Sequence, residues 1–491
     1  MSKKVLVIGA GFAGLSAASV LANAGFKVTV IEKNSIPGGR ARKFEENGFV
    51  YDMGPSWYWL PDVFERFFGL FGKQVSDYYK LLRLDPSYRI FYSKDEIVDV
   101  PAGRDNVIEL FESIEPGSGI KLDRFLDEAE YKYRLGMTRL AYKPAKSIFE
   151  YVEWEVVKGV FKLDVLRSFH SYVRKNFRDP RLWPLLEFPV IFLGATPKKT
   201  PALYSLMNYA DIGLGTWYPI GGMYEVVQGF EKLAGSLGVE FLYNKPVEKI
   251  NVSGGRATGV EANGEFHSAD YIVGAADYHH IERSLLPEGM ANYSEKYWNS
   301  REMAPSSLLF YIGLDRKYEN LIHHNLMFDE EFQVHSSEIF EQKKWPSRPL
   351  LYTSVTSKTD PSVAPEGKEN LVVLIPVASG LPDNDETRQK YFNIVMDRLE
   401  HLTGEPLREH VIYMKSYAHK DFAADYNAYK GNAYGLGNTL MQTAVLKPSL
   451  LSRRVRNLVY AGQLTTPGPG VPPTIISGEV AAGEIIKMHG K

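Results

Sequence analysis

Short apolar runs separated by glycine mark the first part of the chain. Residues 5–8 predict a buried strand, a glycine-rich turn occupies residues 9–14, and residues 15–23 have the apolar spacing of a helix. A second apolar run at residues 27–32 predicts another strand. Strand, turn, helix and strand in this order predict a complete βαβ unit.

Hydrophobic positions farther along the chain alternate between helical and strand spacing. Residues 99–207 are mostly helical in pattern, whereas later segments return to short strands bounded by glycine turns. The last segment repeats the order of the first, with an apolar strand, a Gly/Pro turn and a helix. Strands are predicted at residues 239–243, 247–252, 256–261, 271–276 and 458–461, and helices at residues 225–237 and 475–488.

This order of elements predicts an α/β (mixed α+β) fold with a discontinuous, Rossmann-like domain. Residues 1–98, 222–300 and 446–491 are expected to build that nucleotide-binding domain. Residues 99–221 and 301–445 are expected to build a substrate-binding domain of a sheet plus helices, with a helical part able to face a membrane. The length of 491 residues suits two or three domains.

Composition and charge narrow the classes of function. The formal net charge of −2, with acidic and basic residues interspersed, argues against a nucleic-acid partner. Because the chain has no cysteine, disulfides, thiolate nucleophiles, iron–sulfur clusters and cysteine zinc sites are excluded. No metal site is predicted.

The apolar runs are too short for a membrane-spanning helix, which needs ~20 apolar residues. Lys3 and Lys4 precede only a brief apolar run, so no signal peptide is predicted. A chain without disulfides suits a reducing compartment, and we therefore expect a cytoplasmic location.

The turn after the first strand carries the first candidate chemistry. Gly9 allows the tight turn, Gly11 lets the backbone approach a pyrophosphate, and Gly14 lets the helix pack closely on the sheet. Free N–H groups at the helix N-terminus, those of Phe12 and Ala13, are expected to face the phosphate charge. In its βαβ context, this turn predicts a dinucleotide site.

Residues after the second strand distinguish between dinucleotides. Glu32 ends this strand, where a carboxylate accepts hydrogen bonds from a ribose diol and repels the 2′-phosphate of NADP. Lys33 follows it at the nucleotide site. A second glycine turn, Gly38-Gly39, leads to Arg40, whose guanidinium can neutralise the same pyrophosphate. This turn favours FAD over NAD, and the lack of a second Gly-x-Gly-x-x-Gly turn disfavours a nicotinamide partner.

Two further segments narrow the interpretation. The glycine motifs with Glu32 resemble the amine-oxidase-like flavoprotein superfamily. Residues 51–57 and the tail at residues 461–473 resemble, more narrowly, the bacterial carotenoid desaturases. The resemblance covers essentially the whole chain and includes phytoene desaturases and 1-hydroxycarotenoid 3,4-desaturases. Gln463-Leu464 and Thr466 depart from the commoner tail pattern, in which small residues and a histidine stand.

The resemblance implies further FAD-binding residues. Residues 54–57 are expected near the isoalloxazine ring, and the residue at 247 is expected to contact adenine through its backbone. The tail is expected to hold the flavin end beneath the last helix, whose N-terminus stabilises reduced flavin. These cofactor residues are Gly54, Pro55, Ser56, Trp57, Val247, Gly462, Gln463, Val471, Pro472 and Ile475.

The resemblance also implies the chemistry and the partners. A carotenoid desaturase moves a hydride to flavin while a proton leaves the neighbouring carbon, and the protein aligns the hydrophobic carotenoid. We lean to 1-hydroxycarotenoid 3,4-desaturation, with phytoene desaturation as the alternative. No catalytic residue is assigned, because Glu187, Asp211 and His170 are expected to be surface or satisfied core groups. The electron acceptor is expected to be oxygen or a quinone.

A carotenoid resides in the bilayer, so peripheral attachment to the membrane surface is expected. The amphipathic residues 62–71 and the apolar residues 188–193 are the candidate docking segments. For residues 62–71, packing on the core is at least as good an explanation.

Three other functions stay open at the level of sequence. They are another oxidase of the superfamily that acts on amines or porphyrinogens, a carotenoid isomerase, and a non-enzymatic binder of isoprenoid lipids. Intact phosphate glycines with Glu32 and Arg40 argue against the non-enzymatic binder.

Overall fold

A computed structural model describes residues 2–151, 167–191, 194 and 196–490. Its strands are β1 (Lys4–Ile8), β2 (Lys27–Ile31), β3 (Lys43–Glu46), β4 (Phe49–Asp52), β5 (Leu81–Arg83), β6 (Tyr88–Phe91), β7 (Ile97–Val100), β8 (Trp217–Pro219), β9 (Glu240–Leu242), β10 (Val247–Ser253), β11 (Arg256–Ala262), β12 (Glu265–Ser268), β13 (Tyr271–Gly274), β14 (Ser306–Leu314), β15 (His324–Met327), β16 (Leu351–Ser354), β17 (Glu369–Val377), β18 (Val411–Tyr417) and β19 (Leu458–Tyr460).

The α-helices lie between these strands, and the last one follows β19. Their bounds are α1 (Phe12–Asn23), α2 (Pro61–Gly69), α3 (Arg104–Ile114), α4 (Ser118–Leu135), α5 (Phe169–Asn176), α6 (Leu182–Ile191), α7 (Leu206–Asn208), α8 (Met223–Ser236), α9 (Tyr278–His280), α10 (Glu295–Asn299), α11 (Phe332–Ser337), α12 (Asp385–Thr403), α13 (His419–Tyr426) and α14 (Val471–His489).

A parallel sheet of five strands has the order β19-β13-β1-β2-β9 and joins strands from both ends of the chain. The central strand β1 pairs with β2 on one side and with β13 on the other, Leu6 standing opposite Thr29 and Ile272. Val5 and Val7 are fully buried, as expected for a strand covered on both faces. The predicted βαβ unit and the mixed α/β class are confirmed.

Helices α1 and α14 pack closely on each other beside this sheet. A Cβ on Gly478 of α14 would lie 2.2 Å from the carbonyl oxygen of Ala13, so only glycine fits there. The Ser16 hydroxyl donates to the Ile475 carbonyl across the same contact at 2.7 Å. The first and last of the described helices therefore form one layer beside the parallel sheet.

A larger, mainly antiparallel sheet has the order β18-β14-β17-β16-β15-β6-β7. Strand β14 is buried along all nine residues and pairs with β17 from Ser306 to Leu314. Strands β6 and β7 join this sheet through β15, although the predicted boundary at residue 98 assigns most of them to the nucleotide domain.

The two candidate docking segments bury most of their apolar side chains where the structure describes them, which for residues 62–71 favours the alternative of packing on the core. Helix α2 buries Val63, Phe64, Phe67 and Phe68, and the Phe67 ring stacks on Phe230 with centroids 4.8 Å apart. In the second segment, residues 188 and 190 are buried, while residues 192 and 193 lie outside the described residues. The buried side chains named here thus belong to the core, whereas Leu70 is 43% exposed. Among the described helices, none combines the length and apolarity needed to cross a membrane.

Candidate functional site

A cavity of about 410 Å³ lies where the carboxyl ends of the parallel strands meet the larger sheet. This edge is where open α/β sheets bind their ligands. Most of the predicted cofactor residues meet around this one cavity. They are Gly9, Gly11, Phe12, Ala13, Glu32, Lys33, Gly38, Gly39, Arg40, Gly54, Pro55, Ser56, Trp57, Val247, Gly462, Gln463, Val471 and Pro472.

The first glycine turn has the geometry that a phosphate needs. Gly9 has a φ of +103°, and a Cβ there would lie 3.2 Å from the Ala275 backbone. Around Gly11 there is open space, since a Cβ would meet no atom within 4 Å. No side chain caps the N-terminus of α1 and no acidic residue occupies its first turn. Its N–H groups are therefore available to an anion.

Gly14 does not line the cavity but holds the turn in place. A Cβ on Gly14 would lie 2.0 Å from the carbonyl oxygen of Gly9, so α1 packs on the strand with no room for a side chain. Ile475 also stands behind the cavity, buried, with its carbonyl accepting from Ser16. In this structure Gly14 and Ile475 therefore support the elements that border the cavity and do not line it themselves.

Glu32 places a buried carboxylate at the end of β2. Its Oε2 accepts from the Ala10 N–H at 2.8 Å, and its Oε1 accepts from the backbone N–H and the side-chain amide of Asn34 at 2.9 and 2.8 Å. A carboxylate has about four lone-pair sites. Three are thus filled, which fixes the side chain and leaves capacity for a ribose hydroxyl.

The second glycine turn lies against the first. The Gly38 N–H donates to the Ala10 carbonyl at 2.8 Å, and a Cβ on Gly39 would lie 3.4 Å from the Gly11 Cα. Gly38 and Gly39 both have positive φ, at +113° and +55°. The two turns therefore form one cradle of backbone atoms in which side chains have little room.

Arg40 brings a buried positive charge to this cradle. Its Nη2 donates to the Asn432 carbonyl at 3.1 Å, but its Nε has no partner among the described residues. Burial lowers the pKa of Arg40, and the carboxylate of Asp277 opposes that effect. An orphaned guanidinium N–H beside two uncapped glycine turns fits the pyrophosphate of FAD, because a buried charge needs a partner.

Lys33 borders the same end of the cavity. Its Nζ donates to the Ala424 carbonyl at 2.6 Å. Burial lowers the pKa of Lys33, while the neighbouring carboxylates of Asp425 and Glu32 raise it. Val247 lies close by with Lys245 and Pro246, at the end of the cavity where the adenine is expected.

The segment from Gly54 to Trp57 is anchored from two sides. The Asp52 carboxylate accepts from the Met223 and Tyr224 N–H groups at 2.7 and 3.0 Å, so it caps α8. Burial raises the pKa of Asp52 to about 6, against the effect of those hydrogen bonds. A Cβ on Gly54 would lie 2.1 Å from the Arg40 carbonyl oxygen. The segment is thus pinned to the second glycine turn.

The tail at residues 461–473 forms another wall of the cavity. The N–H of Gly462, with φ +120°, donates to the Ser477 hydroxyl at 3.0 Å, and Gln463 donates to Asn432 at 2.8 Å. Helix α14 begins after Gly470 without a side-chain cap. Two uncapped helix N-termini, those of α1 and α14, therefore border one cavity, which suits an anionic cofactor at both of its polar parts.

Some lining residues were missed by sequence reasoning. Asp277 follows β13 at the carboxyl end of a parallel strand, a position from which it could have been found. Tyr352 and Leu374 come from the larger sheet, where a lone apolar or aromatic residue in a buried strand looks like core. Tyr352 and Leu374, with Leu60, Met207 and Leu309, form a largely apolar wall at the end of the cavity away from the glycine turns.

The three polar residues that were given no catalytic role have protein partners. Glu187 pairs with Arg174 and lies 3.3 Å from His170. Asp211 accepts from Tyr88 at 2.8 Å and from Thr216 at 3.2 Å. Within the described residues, no group of three His, Asp or Glu side chains could hold a metal ion.

Comparison with known proteins agrees with this geometry. The model of the family "flavin containing amine oxidoreductase" matches residues 12–486. The carotenoid 3,4-desaturase of Haloarcula japonica is 42% identical over 484 residues, covering 98% of each chain. The zeta-carotene-forming phytoene desaturase of Myxococcus xanthus is 33% identical, covering 99% of this chain and 94% of that one.

A solved structure supports the fold independently. An oxidoreductase from Methanosarcina mazei superposes with a TM-score of 0.65 at 16% identity, covering 99% of this chain and 100% of that one. At this identity the likeness concerns the fold alone. Together with the full-length sequence matches, it shows that the chain belongs to the flavin containing amine oxidoreductase family and, within it, to the carotenoid desaturases.

Proposed function

We propose that this protein is an FAD-dependent carotenoid desaturase whose preferred reaction is 3,4-desaturation of a 1-hydroxycarotenoid. The observation that carries the proposal is the end-to-end 42% identity with a carotenoid 3,4-desaturase. Phytoene desaturation is the second candidate, because a phytoene desaturase matches over the same length at 33% identity.

In this proposal different residues bind different parts of FAD. Gly9, Gly11 and Arg40 accommodate and neutralise the pyrophosphate, and Glu32 accepts from the ribose. Residues 54–57 and the tail at residues 462–472 surround the flavin ring. The orphaned Nε of Arg40 and the open space at Gly11 support this division.

Bound FAD supplies a hydride acceptor next to the substrate carbon. The part of the chain is to orient the polyene and keep water out. Leu60, Leu309 and Leu374 belong to the apolar wall away from the glycine turns. A long hydrocarbon gains free energy by leaving water for such a wall, at about 25 cal/mol per Å² of apolar surface.

A direct experiment supplies phytoene, lycopene and a 1-hydroxylated acyclic carotenoid in turn to a host that expresses this chain. Desaturation lowers the product mass by two hydrogens, whereas isomerisation leaves it unchanged. We expect the hydroxylated substrate to be converted at its 3,4 bond. A host that converts none of the three, although the purified protein is yellow with flavin, would contradict the proposal.

We also propose that the protein attaches peripherally to a membrane surface, from which it draws its hydrophobic substrate. Support comes from Phe149, which is 81% exposed. An exposed aromatic ring suits the interface of a bilayer.

Flotation with anionic liposomes tests this attachment. Phe149→Ser should reduce the fraction that floats with vesicles. Phe266→Ser, at a 54% exposed position of β12 in a separate three-stranded sheet, is the matched control. Complete recovery of the unaltered protein in the vesicle-free fraction would contradict attachment.

Electrons must leave the reduced flavin after each turnover, and we propose oxygen or a membrane quinone as the acceptor. Anaerobic turnover that depends on added quinone, compared with aerobic turnover without it, distinguishes the two.

A further inference from the structure

Two cavities meet at one tyrosine. Tyr352 and Leu374 line the main cavity and also a second cavity of about 50 Å³. Tyr352 lies on β16, beside the segment expected to hold the flavin ring. The second cavity is therefore a short extension of the site beyond that point.

The second cavity accepts only hydrocarbon. Its wall includes Phe188, Phe328, Phe332 and Phe340. Two further wall residues, Ser336 and His335, carry polar side-chain atoms that already have protein partners. The Ser336 hydroxyl donates to the Gln333 carbonyl at 3.2 Å. Nδ1 of His335 accepts from the Leu350 N–H at 2.6 Å, and its Nε2 lies 2.9 Å from the Pro376 carbonyl. Burial lowers the pKa of His335 to about 4, so the ring is neutral.

The hydroxyl of Tyr352 is the polar group at the entrance. It lies 2.7 Å from Nδ1 of His324. Burial, together with the neighbouring His323, holds the pKa of His324 well below its usual range, so this ring is neutral too. Trp57 stacks on the His324 ring with centroids 4.1 Å apart and fixes its plane.

The proton arrangement at this pair leaves the Tyr352 hydrogen unbound to His324. Nε2 of His324 has no partner among the described residues. An unpaired lone pair costs less than an unpaired buried N–H, so the ring proton belongs on Nδ1, where it donates to the Tyr352 oxygen. The phenolic hydrogen is then not held by His324 and can turn to a ligand in the cavity. The hydroxyls of Ser56 and Ser354 also lie within hydrogen-bonding reach of the Tyr352 oxygen and share its acceptor positions with His324.

We infer that Tyr352 is a specificity residue that hydrogen-bonds the C1 hydroxyl of a 1-hydroxycarotenoid, while the two methyl groups on C1 enter the second cavity. This inference rests on the proposed 3,4-desaturation. The C1 hydroxyl is separated from the reacting C3 by two carbon–carbon bonds. Its partner must therefore stand beside the flavin segment, where Tyr352 lines the main cavity with Ser56 and Trp57.

The size of the second cavity agrees with this placement. A water molecule needs roughly 10–15 Å³ on the same measure, so about 50 Å³ holds about four heavy atoms. C1 with its two methyl groups is of this size. Desaturation of a bond deep within the polyene would push a much longer segment past the flavin, for which this cavity has no room. The cavity therefore favours reaction at the end of the molecule.

The test compares kcat/KM for 1-hydroxylycopene with kcat/KM for lycopene. The unaltered holoenzyme should prefer the hydroxylated substrate, because a site built around a hydroxyl disfavours an analogue that lacks it. Tyr352→Phe should reduce the ratio by on the order of tenfold, the effect of about one buried hydrogen bond. Tyr391→Phe is the control, since Tyr391 is buried, donates to the Pro346 carbonyl and lines neither cavity.

An unchanged ratio in Tyr352→Phe, with the flavin absorption of the holoenzyme intact, overturns the inference. A wild-type enzyme that converts phytoene but not the hydroxylated carotenoid overturns the proposed 3,4-reaction and this inference with it. That second result is visible before any variant is made, so the two failures are distinguishable.

A second variant tests the role of the small cavity. Phe332→Ala on α11 enlarges it, and products desaturated farther from the end should then appear. Val334→Ala changes the same helix at an exposed position outside the cavity and should leave the product pattern as it is. An unaltered product pattern in Phe332→Ala contradicts the assignment of the methyl groups to this cavity.

Discussion

A Cβ on Gly14 would lie 2.0 Å from the carbonyl oxygen of Gly9, whereas a Cβ on Gly11 would meet nothing within 4 Å. Two glycines of one motif thus serve different purposes. The close contact of Gly14 joins α1 to the sheet, and the open space at Gly11 lies in the cavity.

This contrast predicts opposite phenotypes. Gly11→Val should fold, because its φ of −75° and ψ of 175° suit a β-branched residue, but it should be colourless since the side chain occupies the phosphate space. Gly14→Ala should lose several kcal/mol of stability through overpacking. Denaturant unfolding and flavin absorption measure the two effects. A yellow Gly11→Val protein would contradict this assignment.

Replacement of Arg40 should affect the stability of the apoprotein and the binding of FAD in opposite directions. Without FAD its buried guanidinium is only partly satisfied, so Arg40→Met should leave the apoprotein as stable or make it more stable. FAD affinity should fall by about tenfold or more, because a charge-assisted contact is lost. Unfolding of the apoprotein and a flavin fluorescence titration measure the two effects.

A suitable control for Arg40 lies outside the site. Arg89 forms a two-bond ion pair with Asp99 on the larger sheet. Arg89→Met should lower stability slightly and leave FAD affinity unchanged. Equal FAD affinity in Arg40→Met and the unaltered protein would show that Arg40 does not meet the pyrophosphate.

The cap that Asp52 gives to α8 couples helix stability to the flavin segment. Asp52→Ala should cost about 1–2 kcal/mol, the usual loss for a helix cap. FAD affinity should also fall, since residues 53–57 follow directly. Asn384 caps α12 through the Thr387 N–H, away from the cavity. Asn384→Ala should therefore lose comparable stability with no change in FAD affinity, and similar FAD losses in both variants would refute the coupling.

Asp211 predicts a pH dependence of stability. Burial raises its pKa to about 7 from an ordinary value of 3.8, against the hydrogen bonds from Tyr88 and Thr216. Between these two pKa values the folded chain holds a proton that the unfolded chain has lost. The contribution of this group to stability therefore falls as pH rises from about 4 to 7.

Asp211→Asn removes this titration. As pH rises from about 4 to 7, the unfolding free energy of Asp211→Asn should increase relative to that of the unaltered protein. The increase should be at most about 1.4 kcal/mol per pH unit. Parallel denaturant unfolding at several pH values measures the difference. The exposed Asp95→Asn is the control for loss of a carboxylate. A pH-independent difference between Asp211→Asn and the unaltered protein would contradict the raised pKa.

The parts of the fold and of the site that could be predicted from sequence are those that depend only on residues adjacent in the chain. The βαβ unit and the turn at residues 9–14 are local, because strand, turn and helix follow one another. The second turn with Arg40 is local in the same sense. Placement of these residues around one cavity agrees with that prediction, although their contacts with FAD stay a prediction.

Other parts depend on distant pairing or on what covers a surface. Tyr352 enters the site through a sheet whose strands come from both halves of the chain, and its local pattern is that of any buried strand. Residues 62–71 have an amphipathic pattern that is identical for a helix on a membrane and a helix on a core. Phe230 covers its apolar face, and no property of the segment itself predicts that partner.

The contact between α1 and α14 has a consequence for biosynthesis. These helices are separated by roughly 450 residues, and at about 5–20 residues per second the ribosome needs on the order of a minute to translate the interval. During that time the phosphate cradle exists without its closing wall. The complete cofactor site can therefore form only after the last helix has left the ribosome.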